Sequence, residues 1–174
     1  MYSFFIRAEF GIFSDPTITS NKVTYFLPNK SSIIGLLSAI IGIPRGENIE
    51  GLYSKEYLDF LKATRIGIEL INLPRKMVFF TNHISFKESK TKPSKIELLT
   101  QPEYKIYFTT DKQYEEEIVK RIPSDNRQVP EEGYVYTPYL GEAFCLAELY
   151  GLNKEMEFEK INDAKGENLA MKST

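Results

Sequence analysis

A chain of 174 residues with 42% hydrophobic and 26% charged side chains has the composition of one globular domain, which excludes a disordered or collagen-like polypeptide. One cysteine, Cys145, excludes an internal disulfide, and with one histidine, His83, it leaves no Cys/His set for a metal centre, so neither metal nor cofactor is expected. The net charge of −2 hides a segregation: residues 61–112 hold ten basic against five acidic side chains, and residues 113–174 hold seven against thirteen. A basic middle and an acidic end fit a local polyanion site on a protein that also meets protein partners; an unevenly charged solvated surface gives the same arithmetic.

Alternation of Phe4, Ile6, Ala8 and Phe10 with Phe5, Arg7 and Glu9 predicts a strand over 2–10 with one wholly apolar face. The opening MYSFFIRAEF has no basic leader, and the most apolar stretch, 33–43, is about half the ~20 residues a membrane span requires, so a cytoplasmic chain without membrane contact is expected. Pro28 holds its predecessor extended, and Ser31 or Ser32 can cap a helix over 33–41, IIGLLSAII, apolar on nearly every side, with Gly35 permitting close backbone approach. A second helix is expected at 53–62, where Tyr57, Leu58 and Leu61 share a face. Ile66, Ile68 and Leu70 then alternate as a strand, Pro74 ends it, and residues 77–86 form another extended piece.

Residues 87–95, KESKTKPSK, read as a lysine-rich loop, after which Tyr104, Ile106 and Phe108 alternate as a strand, with Pro102 requiring a bulge or an edge. Thr110 with Gln113 is a capping box for a helix whose side carries Tyr114, Ile118, Val119 and Ile122. A last strand is expected within 136–150 around AFCLAEL, with Cys145 buried and inert in it. The order is that of an α+β, ferredoxin-like βαββαβ domain carrying an extended excursion, a fold shared by RNA-recognition domains, enzymes and regulatory domains.

Two features suit a polyanion. The PNKSS segment brings Asn29, Lys30, Ser31 and Ser32 to a helix start, where open amides and the positive end of the dipole face an anion. From 75 to 95, Arg75, Lys76, Lys87, Lys90, Lys92 and Lys95 stand against Glu88, with Phe79, Phe80 and Phe86 between them, a pattern that suits the backbone and bases of single-stranded RNA.

FGIFSDP at 10–16 followed by TYFLPNKSSIIGLLSAIIGIP at 24–44 resembles the opening of the CRISPR-associated family-five proteins, the RAMP-type subunits of Cascade effector complexes. KIELLTQPEYKIYF at 95–108 is similar to that family's middle strand pair, and YTPYLGEAFCLAEL at 136–149 to the stretch before its last strand. The likeness is strongest to the archaeal and clostridial I-B subtype. It implies a RAMP domain over 1–150, with 151–174 a short polar tail or the remnant of a second small sheet. It also implies a role in antiviral defence: holding the 5′ handle of the CRISPR RNA (crRNA) at one end of the complex, against the large subunit and the first backbone subunit.

The family's handle-gripping surface corresponds to residues 25–32 and 75–95, the regions that charge and helix-end chemistry select. Candidate RNA contacts are therefore Lys22, Tyr25, Asn29, Lys30, Ser31, Ser32 and Arg45, with the six cations of the 75–95 segment. In one subtype the family protein itself cuts repeat RNA with a tyrosine, a lysine and a histidine. That alternative, a metal-independent endoribonuclease, places His83 as acid or base with Tyr25 or a lysine assisting, but His83 follows Asn82 and no adjacent Lys-His pair is present in the sequence, so a non-catalytic subunit is expected. A further alternative is a protein-interaction module whose acidic tail and apolar sheet face bind neighbours without a direct RNA role.

Overall fold

Alternation in the first residues builds two strands, β1 (Tyr2–Ala8) and β2 (Phe10–Gly11), rather than one. The break is at Glu9: Gln101 N donates to its carbonyl at 2.8 Å while Ala8 N donates to the Pro102 carbonyl at 3.2 Å, and beyond it the chain leaves one sheet for another. The computed structural model describes residues 1–14, 22–46, 53–85, 90–125 and 129–155, the side chains of residues 83–85, 90 and 92 apart. The remaining elements are α1 (Lys30–Ile41), α2 (Lys55–Ala63), β3 (Arg65–Leu70), β4 (Arg75–Ser85), β5 (Lys90–Thr100), β6 (Glu103–Thr109), α3 (Lys112–Arg121) and β7 (Ala147–Lys154).

The main sheet has the order β3-β6-β1-β7, and every neighbouring pair is antiparallel. With α1 and α2 between β1 and β3, and α3 between β6 and β7, this is the expected ferredoxin-like α+β arrangement. The second sheet, β2-β5-β4, is the excursion. Phe4 and Ile6 from β1 and Tyr104, Ile106 and Phe108 from β6 are wholly buried on one face of the main sheet, in one core with Ile34, Leu37 and Ile40 of α1. Phe60 of α2 meets Tyr114 of α3 edge-on at 5.0 Å, which closes the helical layer.

Several local expectations change. The helix reaches back to Lys30 and its cap is Asn29, not Ser31 or Ser32. In α2, Phe60 rather than Leu58 is buried beside Tyr57. Thr110 does not cap α3: Asp111 is the N-cap residue, and the Thr110 hydroxyl bonds that of Thr64 at 2.9 Å. Residues 90–95 are not loop but strand, paired with β4 in continuous register from Ser85↔Lys90 to Arg75↔Thr100; residues 87–89 lie outside the described residues. Lysine is a poor strand former, and cross-strand pairing overrides that local preference. Pro93 lies beyond the reach of the third strand, so its missing N–H leaves no gap in a three-stranded ladder.

Cys145 is buried, but in a turn before β7, where its carbonyl accepts from Leu140 N at 2.8 Å. β7 itself runs to Lys154, across the 150/151 division that the family resemblance implies. The close backbone approach falls at Gly141 rather than Gly35, whose surroundings are open. Gly141 has φ +92°, and a Cβ there would lie 1.7 Å from the Ile12 carbonyl oxygen. That contact holds the 138–147 turn against the residue that follows β2, where Ile12 N donates to the Leu140 carbonyl at 3.0 Å.

Gly141→Ala is therefore expected to cost about 3 kcal/mol or more, combining positive-φ strain with a backbone collision. Urea unfolding checks this; a loss under about 0.5 kcal/mol contradicts the assigned contact.

Candidate nucleic-acid interface

Asn29 is extended (φ −81°, ψ 163°), and its Oδ1 accepts from Ser32 N, Ser32 Oγ and Ser31 Oγ, each at 2.8 Å. The cap thus consumes both hydroxyls and the Ser32 amide. The amides of Lys30 and Ser31 lie outside it, on an exposed surface at the positive end of α1.

The approach to α1 is tied down residue by residue. Lys22 N donates to the Lys95 carbonyl at 3.1 Å, and Glu97 N donates to the Lys22 carbonyl at 2.8 Å, so residue 22 extends the second sheet along the side of β5 away from β4. Phe13 N donates to Thr24 Oγ1 at 2.8 Å, and Tyr25 N to the Phe13 carbonyl at 3.0 Å. The Tyr104 hydroxyl, held protonated because burial pushes its pKa up, donates to the Phe26 carbonyl at 2.6 Å. With its backbone fixed, this segment turns Tyr25, Phe26 and Leu27 outward, at 50%, 40% and 46% exposure.

The β4–β5 hairpin faces it. Directly paired residues share a side of an antiparallel ladder, so Lys76, Val78 and Phe80 stand on one face with Leu99, Glu97 and Lys95 opposite them. Lys76 Nζ reaches Glu97 at 3.3 Å and lies 4.9 Å from the centre of the Phe26 ring, which joins the hairpin to the approach segment. Phe80 is 75% exposed, whereas Phe79, on the other face, packs on the core. Arg75 begins the strand and is exposed.

The sequence candidates thus divide. Lys22 and Lys95 are neighbours by backbone, with Lys22 opposite Ile96 and so on the other face from Lys76 and Lys95; Tyr25, Asn29, Lys30, Ser31 and Ser32 follow along the approach to α1, and Arg75 stands at the hairpin base. Lys22 is ion-paired with Glu142, a half-buried pair. Arg45 does not join them: it follows the far end of α1, whose 12 residues span about 18 Å, and it bonds the Tyr53 hydroxyl at 3.3 Å. Lys90 and Lys92 are placed by backbone in β5, and His83 by backbone in β4 opposite Lys92; their side chains, and Lys87 altogether, lie outside the described residues. Sequence reasoning missed the exposure of Phe80 and the contact of Lys76 with Phe26. The first was legible in principle from alternation along 76–80; the second needs the tertiary fold.

The outer face of the main sheet also carries aromatic rings, as RNA-recognition sheets do. Phe5 and Tyr150 stack at 5.4 Å, and Lys105 lies 4.8 Å from the Tyr107 ring centre. Carboxylates, however, occupy its polar groups. Tyr107 donates to Glu69 at 2.6 Å, Tyr150 to Glu103, Arg7 to Glu148 at 2.8 Å, and Lys105 to Glu155 at 2.9 Å. Four acids against Arg7, Arg65 and Lys105 leave this face unsuited to a polyanion. Among the described residues no group of three His, Cys, Asp or Glu side chains could hold a metal ion, and no helix is long and apolar enough to cross a membrane.

Comparison with known proteins agrees with the fold. A family model described as CRISPR-associated protein (Cas_Cas5) matches residues 1–124. No curated protein matches the chain in sequence. A solved chain described as "CRISPR RNA-guided surveillance complex" is similar with a TM-score of 0.58 at 14% identity, over 84% of this chain and 60% of that one. Another, described as "Crystal structure of Cas protein", is similar with a TM-score of 0.50 at 16% identity, over 83% of this chain and 58% of that one. The chain thus spans less than two thirds of the length of either.

The hydrogen bonds from Lys105 and Ser3 hold the Glu155 carboxyl below its usual range. Its stabilising contribution is complete above the unfolded pKa of about 4.3 and is lost as pH falls through the lower folded value. Glu155→Gln should therefore lower Tm near neutral pH, with the gap to wild type closing as pH falls below the unfolded value of about 4.3 and through the lower folded one. A gap that does not change with pH in thermal melts contradicts this assignment.

Proposed function

The chain belongs to the family of CRISPR-associated Cas5 proteins, and from that premise we propose that it is a non-catalytic, RNA-binding subunit of a Cascade-type surveillance complex in antiviral defence. It holds the 5′ handle of the crRNA and meets the backbone and large subunits of the complex. The observation that carries this reading is the convergence of two cationic segments far apart in sequence: the approach to α1 and the β4–β5 hairpin, joined at Lys22, Phe26 and Lys76.

Phosphates fall to Lys22, Lys30, Arg75, Lys76 and Lys95, with the amides of Lys30 and Ser31 offering a further anion contact. Lys87, Lys90 and Lys92 extend the cationic run along the hairpin sequence. Phosphate contacts position the strand, and sequence preference comes from bases splayed out of the stack. Arg45, about 18 Å along α1, belongs to a separate contact, with the outgoing strand or with a protein neighbour. The acidic outer face of the main sheet turns away from RNA and suits a protein partner's basic surface.

Gel-shift binding of handle RNA should weaken steeply with salt, and the double variant Lys76→Gln/Lys95→Gln should flatten the log–log salt slope by about 1.4, two single-strand phosphate contacts at ~0.7 each. An unchanged slope, or equal affinity for handle and scrambled RNA in the presence of the partner subunits, contradicts the reading.

A further inference from the structure

Phe80 is the most exposed aromatic ring on either strand of the hairpin among the described residues, at 75%, although its neighbour Phe79 finds the core. Three observations give this ring a context. It stands directly opposite Lys95; Val78, 45% exposed, lies next to it on the same face; and at the far end of that face Lys76 covers the partly exposed Phe26. The face therefore runs ring, aliphatic step, cation, ring, with a second cation beside the first ring. Its acid, Glu97, is taken up by Lys76 at 3.3 Å. β4 is also the edge of its sheet, so no strand among the described residues lies outside it.

We propose that this face is a stacking strip for a short run of unpaired nucleotides, with Phe80 and Phe26 as the residues that set a preference for single over paired strands; the proposal rests on the reading of the chain as an RNA holder. Bases in a duplex stack on one another and hide their faces, whereas an unpaired base can lie flat on a ring while the neighbouring cation meets its phosphate. Four residues of strand at ~3.3 Å each place Phe80 about 13 Å from Lys76, some four times the ~3.4 Å step between stacked nucleotides. The stretch from Phe80 to Lys76 therefore matches about four nucleotide steps, with Val78 at its middle. The cations alone would accept either form of RNA.

The test uses the full chain and fluorescence anisotropy with labelled single-stranded handle RNA and a blunt duplex of the same sequence. Phe80→Leu should weaken single-strand binding about fivefold to a hundredfold, leave the salt slope and duplex binding unchanged, and be rescued by Phe80→Trp. Phe26→Leu should act in the same direction, and thermal melts should show Phe80→Leu folded as wild type, since the ring is exposed. If wild type binds the single strand and Phe80→Leu binds within twofold of it, the strip is overturned while the RNA-holding reading stands. Equal losses on single strand and duplex, or lost assembly with partner subunits at intact RNA affinity, also overturn it, the latter in favour of a protein contact. If wild type does not bind the single strand at all, the RNA-holding reading falls, and the strip with it.

Discussion

The fold's functional geometry depends on two backbone hydrogen bonds, Lys22 N to the Lys95 carbonyl and Glu97 N to the Lys22 carbonyl. They bind the segment leading into α1 to the side of β5 that β4 leaves open. The Tyr104 hydroxyl then fixes the same segment from the core side at the Phe26 carbonyl. Without these ties the α1 start and the hairpin would be separate surfaces, each with a few cations and neither able to define the path of a strand. With them, the helix cap, the outward aromatic side chains and the hairpin form one continuous surface.

Electrostatics then separates two faces that look alike in ring content. The outer face of the main sheet carries Phe5, Tyr107 and Tyr150, and the hairpin face carries Phe26 and Phe80. On the first, carboxylates from β3, β6 and β7 and from Glu155 pair with the phenols and cations. On the second, Glu97 meets Lys76, and Lys76 and Lys95 stand on the face of Phe80, while Lys22, opposite Ile96 on the other face, is paired with Glu142. Coulomb interactions between exposed groups are individually weak in water, so what distinguishes the faces is the sum over several groups rather than any one pair.

Much of the architecture was legible in the chain because it follows from periodicity. The alternation at 104–108 and at 66–70 and the apolar run at 33–41 each mark a buried element, and their order leads to the ferredoxin-like arrangement. What periodicity cannot carry is pairing. Glu9 interrupts an uninterrupted pattern because the chain changes sheets there, and Lys90 to Lys95 look like loop because their strand character comes from the partner across the hairpin. The motif around Leu140 and Gly141 is visible in sequence, yet its cause, a backbone approach to Ile12, is tertiary. The candidate site follows the same division: composition pointed to the 75–95 lysines, while the exposure of Phe80 and the placement of Arg45 at the opposite end of α1 come from packing.

The proposed path of the RNA strand runs over the hairpin and the approach to α1, not over the outer face of the main sheet. Its most direct test is photocrosslinking of 4-thiouridine-substituted handle RNA to the protein, with the attached peptides identified by mass spectrometry. Crosslinks at Phe26, Phe80 and the peptides around Lys76 and Lys95 are the predicted result. Crosslinks concentrated instead at Phe5, Tyr107 and Tyr150 would contradict it.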